Sequence, residues 1–222
     1  MNRLNFSQLW RYDDVLLHGV LVTLLLTLIA TVAGLAIGAL CASAAQSRFA
    51  SLRLAVRAYV EIIRNTPTLI QIFLIFFVLP FAGLRLPPVY AAATALSIYF
   101  GAHATEILRS GLASIPRSQL EAGQCLGMTR WEVFRHVILP PALRNVFPSL
   151  TSQIVLLFLG TSLASQVSAE ELFHAAGFVE SRTYRSFEVY AVVCAIYLAL
   201  VLLMKGAFFA VERLAFRWPT GR

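Results

Sequence analysis

One stretch of the chain, residues 19–42, has no charged side chain over 24 consecutive positions. Since a helix rises about 1.5 Å per residue, this run is long enough to cross the roughly 30 Å hydrocarbon core of a bilayer. Gly34 and Gly38 within it form an edge suited to close packing against a neighbouring helix. The run is too long for a signal peptide, and the residues before it are acidic rather than basic. It therefore predicts a membrane-spanning helix.

The composition extends this prediction to the whole chain. Hydrophobic residues make up 59% of the 222 residues and charged residues 13%, whereas a soluble domain carries about 25% charged residues. The net charge of +7 does not indicate nucleic acid, because the basic residues flank apolar runs. We expect an all-α integral membrane protein with one transmembrane domain over residues 1–222. Its five transmembrane helices are predicted at about residues 15–43, 57–84, 88–108, 141–166 and 187–212.

The distribution of basic residues predicts the orientation of these helices. With the N-terminus outside, five of the 18 basic residues lie outside: Arg3, Arg11, Arg85, Arg182 and Arg185. The other 13 lie at cytoplasmic ends or in the polar segment between the third and fourth spans, so the positive-inside rule favours an external N-terminus and a cytoplasmic C-terminus. Residues 166–188 then form a polar outer loop, which is either a solvated connector or a short helix that touches an external partner.

The polar segment over residues 110–140 separates the third and fourth spans and carries too many charges to sit in a bilayer. Pro116 suits the start of a short helix, and Gly127 suits the left-handed residue that ends it. Two interpretations stay open for this segment. It is either a docking element for a partner protein or an amphipathic connector that lies on the membrane surface.

A second short helix is predicted after Gly127. Thr129 and Glu132 have the spacing of a capping box, in which each side chain bonds the other residue's main-chain N–H. We expect this helix to end before Pro140 and Pro141, since proline cannot continue the backbone hydrogen-bond ladder.

Several residues inside the predicted spans are polar or weaken a helix. Pro67 is expected to bend the second helix, and the Gln71 amide lies deep enough in that segment to need a partner or a ligand. His103 on the third helix is either satisfied within the bundle or lines a translocation path. Gly160 weakens the fourth helix, which indicates either a substrate-facing bend of the kind found in transporters or close helix packing.

The polar segment resembles the signature loop of ABC-importer permeases. That loop has Glu-Ala-Ala, a glycine after three more residues, and an Ile-x-Leu-Pro segment further on. This chain has Glu121-Ala122-Gly123, then Gly127, and then Ile-Leu-Pro at residues 138–140. The glycine at position 123 replaces an alanine, which is a small-for-small change.

Two further boxes are similar to the polar amino acid branch of these permeases. Arg64-Asn65-Thr66-Pro67 with Gln71 resembles its Arg-Gly/Asn-Thr-Pro…Gln box, and residues 101–109 resemble its Gly-Ala-Tyr…Glu-Ile-x-Arg box. The resemblance extends over about residues 19–197. The chain is thereby identified as resembling a polar amino acid ABC importer permease, the type I importer transmembrane subunit that carries the Glu-Ala-Ala (EAA) loop.

The resemblance implies the type I ABC importer fold in a bacterial cytoplasmic (inner) membrane, with a cytoplasmic coupling helix between the third and fourth transmembrane helices. It implies two ABC ATPase subunits, a second permease subunit (an identical copy or a paralogue) and an extracytoplasmic solute-binding protein as partners. ATP and Mg²⁺ would bind to the ATPase subunits, and no cofactor or metal to this chain. The ATPase-coupling residues are predicted to be Gln119, Glu121, Ala122, Gly123, Gly127, Met128 and Thr129. The substrate path is predicted to include Thr66, Gln71, Ser97, His103, Gly160, Thr161 and Ser162.

The sequence departs from the family pattern at one place that concerns the substrate. Polar amino acid permeases commonly have Lys-Asp-Thr-Ser-Leu where this chain has Leu159, Gly160, Thr161, Ser162 and Leu163. Both charges are lost, which argues against recognition of a cationic side chain there. A polar amino acid is the predicted substrate, with an opine or another amino acid derivative as the alternative.

Two other classes of function are weighed against transport driven by a partner. An intramembrane hydrolase needs a nucleophile beside a base, or histidines at metal-ligand spacing, and the four histidines lie in separate segments. A passive channel leaves the docking segment without a role. The chain has one lysine, Lys205, and no glycine-rich phosphate loop, so its energy is expected to come from another chain.

Overall fold

The computed structural model describes residues 6–215, and within that range every regular element is helical. The α-helices are α1 (Asp13–Ala44), α2 (Ala50–Arg64), α3 (Thr68–Phe73), α4 (Pro88–Ala113), α5 (Arg117–Cys125), α6 (Arg130–Glu132), α7 (Leu139–Gly160), α8 (Leu172–Thr183) and α9 (Ser186–Ala215). A 3-10 turn precedes α1, and π or 3-10 turns extend three other helices: Leu74–Val78 and Leu79–Ala82 follow α3, Val133–Ile138 follows α6, and Thr161–Val167 follows α7. The predicted all-α fold is confirmed.

Helix α4 is the centre of the bundle and packs along α1, with α7, α2 and α3 around its other sides. The small-residue edge of α1 makes this close approach possible. A Cβ added at Gly34 would lie 2.7 Å from the Phe100 ring, and one added at Gly38 would lie 2.6 Å from the Ala104 Cβ. Both distances are too short for real Cβ atoms, so only glycine fits at these two positions without a shift of α1 or α4.

Replacing Gly38 with alanine is expected to force α1 away from α4. Overpacking of this kind costs about 1–3 kcal/mol, which corresponds to a midpoint of thermal unfolding lower by roughly 2–12 °C. Gly206→Ala on α9 is the matched control, because a Cβ added there meets nothing within 4 Å. The measurement is thermal unfolding of the detergent-solubilised protein, and equal midpoints for the two variants would contradict this packing.

Three stretches of the described residues are long and apolar enough to cross a membrane: Leu9–Ala44, Arg130–Val167 and Ser186–Ala215. The bent pair Ala50–Arg64 and Thr68–Ala82 would make a fourth. Helix α4, the predicted third span, is outside this group, and its core residues Ala92, Leu96 and Phe100 are fully buried. Because α4 faces other helices, small and polar side chains replace the large apolar ones that a lipid-facing helix needs.

The chain changes direction within the predicted second span, residues 57–84, by much more than the bend expected at Pro67. Helix α2 ends at Arg64, and the stretch Thr68–Ala82 leaves it at an angle of 109°. Pro67 has an extended backbone with a ψ of 134°, and a proline also disfavours the helical conformation in the residue before it. Helix α2 therefore runs across the direction of the apolar stretch that follows it.

The expectation that Pro140 and Pro141 end a helix is wrong. The π turns of Val133–Ile138 lead directly into α7, and the whole stretch Arg130–Val167 is one continuous helix. Both prolines lie at the start of α7, directly after the π turns and inside the continuous helix. The i→i+5 pattern of the preceding π turns also changes which carbonyls need a donor there.

The outer segment is folded rather than a solvated connector. Glu171 is fully buried, and its carboxylate accepts hydrogen bonds from the main-chain N–H groups of Phe173 (2.9 Å) and His174 (2.8 Å) at the start of α8. The Tyr197 hydroxyl of α9 donates to the same carboxylate at 2.9 Å. The Leu172 N–H donates to Thr23 Oγ1 of α1 at 3.1 Å. One carboxylate and one hydroxyl thus hold α8 against α9 and α1.

Candidate functional site: the coupling hairpin and the polar path residues

Helices α5 and α6 and the π turns after them form a helical hairpin over residues 117–138, here called the coupling hairpin. Its turn is built at Gly127, which has a φ of +76° that favours glycine. The Gly127 N–H donates to the Gln124 carbonyl at 2.9 Å, and the Met128 N–H donates to the Gly123 carbonyl at 3.2 Å. These two bonds are those of a Schellman motif, so the predicted end of the first short helix is confirmed.

The second arm of the coupling hairpin begins with the predicted capping box. The Glu132 carboxylate accepts from the Thr129 main-chain N–H at 2.7 Å and from its hydroxyl at 2.8 Å, while the Glu132 N–H donates to Thr129 Oγ1 at 3.3 Å. The main-chain bond from Thr129, followed by the bond from its hydroxyl, holds the pKa of Glu132 below its usual range. Thr129 therefore shapes the hairpin through its cap.

Gly123 is buried inside the coupling hairpin. A Cβ added there would lie 3.1 Å from Val133 Cγ2 and 3.6 Å from the Met128 sulfur. The small residue of the signature tripeptide thus lets the two arms pack together. Of the seven predicted coupling residues, Gly123, Gly127, Met128 and Thr129 build the hairpin itself.

The other three predicted coupling residues, Gln119, Glu121 and Ala122, are exposed on α5. Among the described residues, the Glu121 carboxylate has no hydrogen-bond or salt-bridge partner. Two large apolar side chains of the coupling hairpin are also exposed: Leu126 is 81% exposed and Trp131 is 64% exposed. Neither was predicted from the sequence, although large apolar residues in a polar segment are a signal of a contact surface. A hairpin that exposes a free carboxylate and large apolar side chains is suited to binding another protein.

Thr66 and Gln71, predicted for the substrate path, meet at the break before α3. Gln71 is buried, and its Nε2 lies within hydrogen-bond distance of the Ile63 carbonyl (2.8 Å), the Thr66 carbonyl (3.1 Å) and Thr66 Oγ1 (2.8 Å). The amide therefore satisfies carbonyls that the break leaves without helical partners. Its Oε1 is buried and has no hydrogen-bond partner, so one acceptor remains for a ligand or a water molecule.

Ser97 and His103 lie on different faces of α4. The Ser97 hydroxyl is buried and donates to the Ala93 carbonyl at 2.6 Å, and its main-chain oxygen faces Gly34 of α1. The half-buried His103 ring packs on Tyr99 with the ring centroids 4.6 Å apart. The structure does not bring these two residues to a common surface.

At Gly160 α7 gives way to the 3-10 stretch Thr161–Val167, within the continuous helix Arg130–Val167, so the predicted bend at Gly160 stays a prediction. A Cβ added at Gly160 meets nothing within 4 Å, so this glycine borders open space rather than a packed helix. Thr161 is fully buried and donates to the Phe158 carbonyl at 2.7 Å, while Ser162 is half-buried and donates to the Leu159 carbonyl. The stretch packs on α3 and α4, which brings it to the elements that carry Gln71 and His103.

Comparison with known proteins gives a consistent set of relatives. Residues 34–217 match the family described as the binding-protein-dependent transport system inner membrane component. An L-cystine transport system permease protein of Bacillus subtilis (strain 168) is 34% identical over 200 residues, which cover 90% of this chain and 86% of the relative. A glutamine transport system permease protein of Escherichia coli (strain K12) is 32% identical over 211 residues, which cover 94% of this chain and 96% of the relative.

Solved structures share the fold. A crystal structure described as an amino acid ABC transporter with histidines superimposes with a TM-score of 0.89 at 31% identity, covering 96% of this chain and 99% of the other. An inward-facing structure of the MetNI methionine ABC transporter gives a TM-score of 0.74 at 24% identity, covering 91% of this chain and 97% of the other. The second likeness is one of fold alone.

Proposed function

Since the chain belongs to the family of binding-protein-dependent transport system inner membrane components, we propose that it forms half of a translocation pathway that separate ATPase subunits open and close. It is a multi-pass membrane protein and a permease subunit for amino acid import. A second permease subunit completes the pathway, and a solute-binding protein delivers the substrate. ATP and Mg²⁺ bind to the ATPase subunits, because this chain lacks a phosphate loop.

The observation that carries the proposal is the exposed surface of the coupling hairpin. Glu121 presents a carboxylate with no partner in the described part of the chain, and Leu126 and Trp131 are exposed on the same hairpin. An ATPase surface that offers a basic residue and an apolar pocket is complementary to it. The remaining coupling residues support the same role indirectly, because they fix the shape of the hairpin that carries Glu121.

The hairpin is connected to the pathway by a continuous helix. The stretch Arg130–Val167 runs from the second arm of the coupling hairpin, through α7, to the 3-10 residues that follow Gly160. A displacement of the hairpin is therefore passed to Gly160 without an intervening loop. In energetic terms, ATP binding to the ATPase must favour one arrangement of the bundle over the other, and the pathway then faces alternate sides of the membrane.

The substrate proposed is a polar amino acid. The named relatives transport L-cystine and glutamine, and the loss of the Lys-Asp pair at Gly160 fits a substrate without a cationic side chain. The unpaired Gln71 Oε1 offers a hydrogen-bond acceptor, and Gly160 borders open space. These two features support the predicted path along α3 and the stretch after α7.

The proposed location is a bacterial inner membrane, with the coupling hairpin on the cytoplasmic side and the N-terminus outside. The basic residues favour this orientation, and it gives the hairpin access to ATPases in the cytoplasm. Helix α8 and the buried Glu171 then lie at the outer end of the bundle, where the binding protein docks.

The experiment that tests the proposal is reconstitution of the chain in proteoliposomes with its ATPase and binding protein. We expect glutamine or cystine to stimulate ATP hydrolysis and to be taken up only when all components and ATP are present. Uptake by the purified chain alone would contradict the proposal, as would a failure of the chain to co-purify with an ATPase.

Replacing Gly160 with leucine is expected to lower uptake in this assay while assembly with the ATPase stays intact. The added side chain enters open space and makes no clash within the chain, so its effect is on the pathway. A loss of about tenfold in the uptake rate corresponds to an increase of roughly 1.4 kcal/mol in the activation free energy of the rate-limiting step. Gly206→Leu on α9 is the control, since that position also borders open space. Unchanged uptake in Gly160→Leu would remove Gly160 from the substrate path.

A further inference from the structure

A cavity of about 400 Å³ lies between the C-terminal end of α1, helix α2 and the last turns of α4. It lies at the end of the bundle where α4 leads into the coupling hairpin. Six charged side chains line it: Arg53, Arg57, Arg64, Arg109, Glu61 and Glu106. Four guanidinium groups against two carboxylates give the cavity an excess of positive charge.

Most of these charges are already engaged within the chain. Arg109 forms a salt bridge with Glu106, and Arg53 donates to the main-chain carbonyls that end the α1–α2 turn. The Glu61 carboxylate accepts from the Asn65 amide at 3.1 Å.

Arg57 and Arg64 differ from the other two arginines of the cavity. Among the described residues, neither guanidinium has a hydrogen-bond or salt-bridge partner. Arg64 interacts electrostatically with Glu106 across the cavity, but the hydrogen-bond donors of both guanidinium groups remain open. Two such groups in one cavity are suited to an anion with several oxygen atoms, because each presents a planar fork of donors.

The helix that carries both arginines is amphipathic. Arg57 and Arg64 share one face, since positions seven residues apart on a helix nearly coincide. Leu52 and Ile62 are exposed on another side of α2, at 42% and 62%. Helix α2 also makes an angle of 109° with the apolar stretch Thr68–Ala82. If that stretch crosses the bilayer, α2 lies along the membrane surface, with apolar side chains available to lipid and arginines at the headgroup level.

We propose that the cavity is a phosphate-binding site formed by Arg57 and Arg64, and that the phosphate belongs to an anionic phospholipid. The exposed apolar side of α2 favours a lipid over a free phosphate ion, because burial of Leu52 and Ile62 in the bilayer places the cavity on the other face of α2 at the level of the lipid headgroups. The bound lipid would fix α2 at the membrane surface next to the break at Pro67. The proposal does not depend on which amino acid the importer carries.

The test is lipid retention by the complete importer in nanodiscs, measured by native mass spectrometry. The discs contain either phosphatidylcholine alone or phosphatidylcholine with phosphatidylglycerol. We expect the double variant Arg57→Gln/Arg64→Gln to retain phosphatidylglycerol roughly 10- to 30-fold more weakly than the unmodified protein, from the usual contribution of two basic residues at an anionic surface. Arg48→Gln/Arg213→Gln is the matched control, because it removes the same charge outside the cavity, and it is expected to retain the lipid.

Equal retention by Arg57→Gln/Arg64→Gln and the unmodified protein would overturn the proposal.

A second arm of the experiment offers inorganic phosphate, and then glutamine, to the importer in discs of phosphatidylcholine alone. Retention of inorganic phosphate that Arg57→Gln/Arg64→Gln abolishes would support phosphate binding with a soluble source. Retention of glutamine in the cavity in place of any phosphate would overturn the proposal in favour of a substrate site. If Arg57→Gln/Arg64→Gln does not fold, the variant Arg57→Lys/Arg64→Lys is used, which keeps the charge but removes the planar donors. Unchanged lipid retention by this lysine variant would contradict binding of the phosphate by the guanidinium forks.

Discussion

Replacing Glu171 with alanine is expected to lower the midpoint of thermal unfolding of the solubilised protein by roughly 5–15 °C. Helix α8 loses the side chain that caps the N–H groups of its second and third residues, Phe173 and His174, a loss of about 1 kcal/mol. The Tyr197 hydroxyl loses its acceptor in a half-buried site, which costs about 1–3 kcal/mol more. Both bonds have normal hydrogen-bond lengths, 2.8 Å from the His174 N–H and 2.9 Å from the Tyr197 hydroxyl.

The neighbouring Glu170 supplies the control for this prediction, because it is exposed and lies next to Glu171 in the same turn. Glu170→Ala is expected to leave the midpoint unchanged. Burial raises the pKa of the Glu171 carboxyl although its hydrogen bonds act in the opposite direction, so the uncharged Glu171→Gln is expected to lose less stability than Glu171→Ala. A double-mutant cycle with Tyr197→Phe isolates the bond between the two side chains. A midpoint for Glu171→Ala that equals that of Glu170→Ala would contradict the structural role of this carboxylate.

The coupling hairpin could be predicted from the sequence because its determinants are local. Thr129 and Glu132 cap a helix from three residues apart, and Gly127 provides a left-handed residue at the turn. The forces that specify these features act between residues near in sequence, so spacing is enough to predict them. The all-α fold was predictable for a related reason, since charge-free runs of this length have few alternatives to membrane-spanning helices.

The positions of the helix breaks were harder to predict from the sequence, because a proline has opposite effects in two contexts. Pro67 follows a helix and ends it, whereas Pro140 and Pro141 lie in the first turn of α7 and are accommodated there. The difference depends on which carbonyls need donors before each proline, and the π turns of Val133–Ile138 change that requirement. Composition does not predict a π turn.

The long-range polar contacts were not predictable from one sequence. Glu171 lies in a segment with several carboxylates, and nothing near it in sequence distinguishes it from the exposed Glu170. Its burial depends on Tyr197, which lies 26 positions away. The Gln71 amide is an intermediate case. Its need for a partner was evident from its apolar surroundings, but the partners are the carbonyls freed by the break at Pro67 rather than another helix.

Replacing Glu121 with lysine is expected to reduce ATP-dependent uptake at least about tenfold while ATP hydrolysis by the assembled importer continues. The Glu121 carboxylate is exposed on α5 and has no partner in the described part of the chain. If it pairs with a basic residue of the ATPase, the substitution places two like charges together in an interface, which costs several kcal/mol. The hairpin itself is expected to stay folded, because its cap and its turn lie at Thr129 and Gly127. The measurement is uptake and hydrolysis in the same proteoliposomes.

The control for Glu121→Lys is Glu212→Lys, which makes the same change of charge on an exposed position of α9 outside the hairpin. Glu212→Lys is expected to keep both uptake and hydrolysis. A general effect of surface charge would appear in both variants, whereas a docking effect would appear only in Glu121→Lys. Glu121→Gln removes the charge without reversing it, and its uptake is expected to lie between that of Glu121→Lys and that of Glu212→Lys. The ratio of uptake to hydrolysis measures coupling between two chains, and a merely structural role of Glu121 would instead lower both rates together. Full uptake by Glu121→Lys would mean that the ATPase engages the chain through some other surface than the face of α5 that carries this carboxylate.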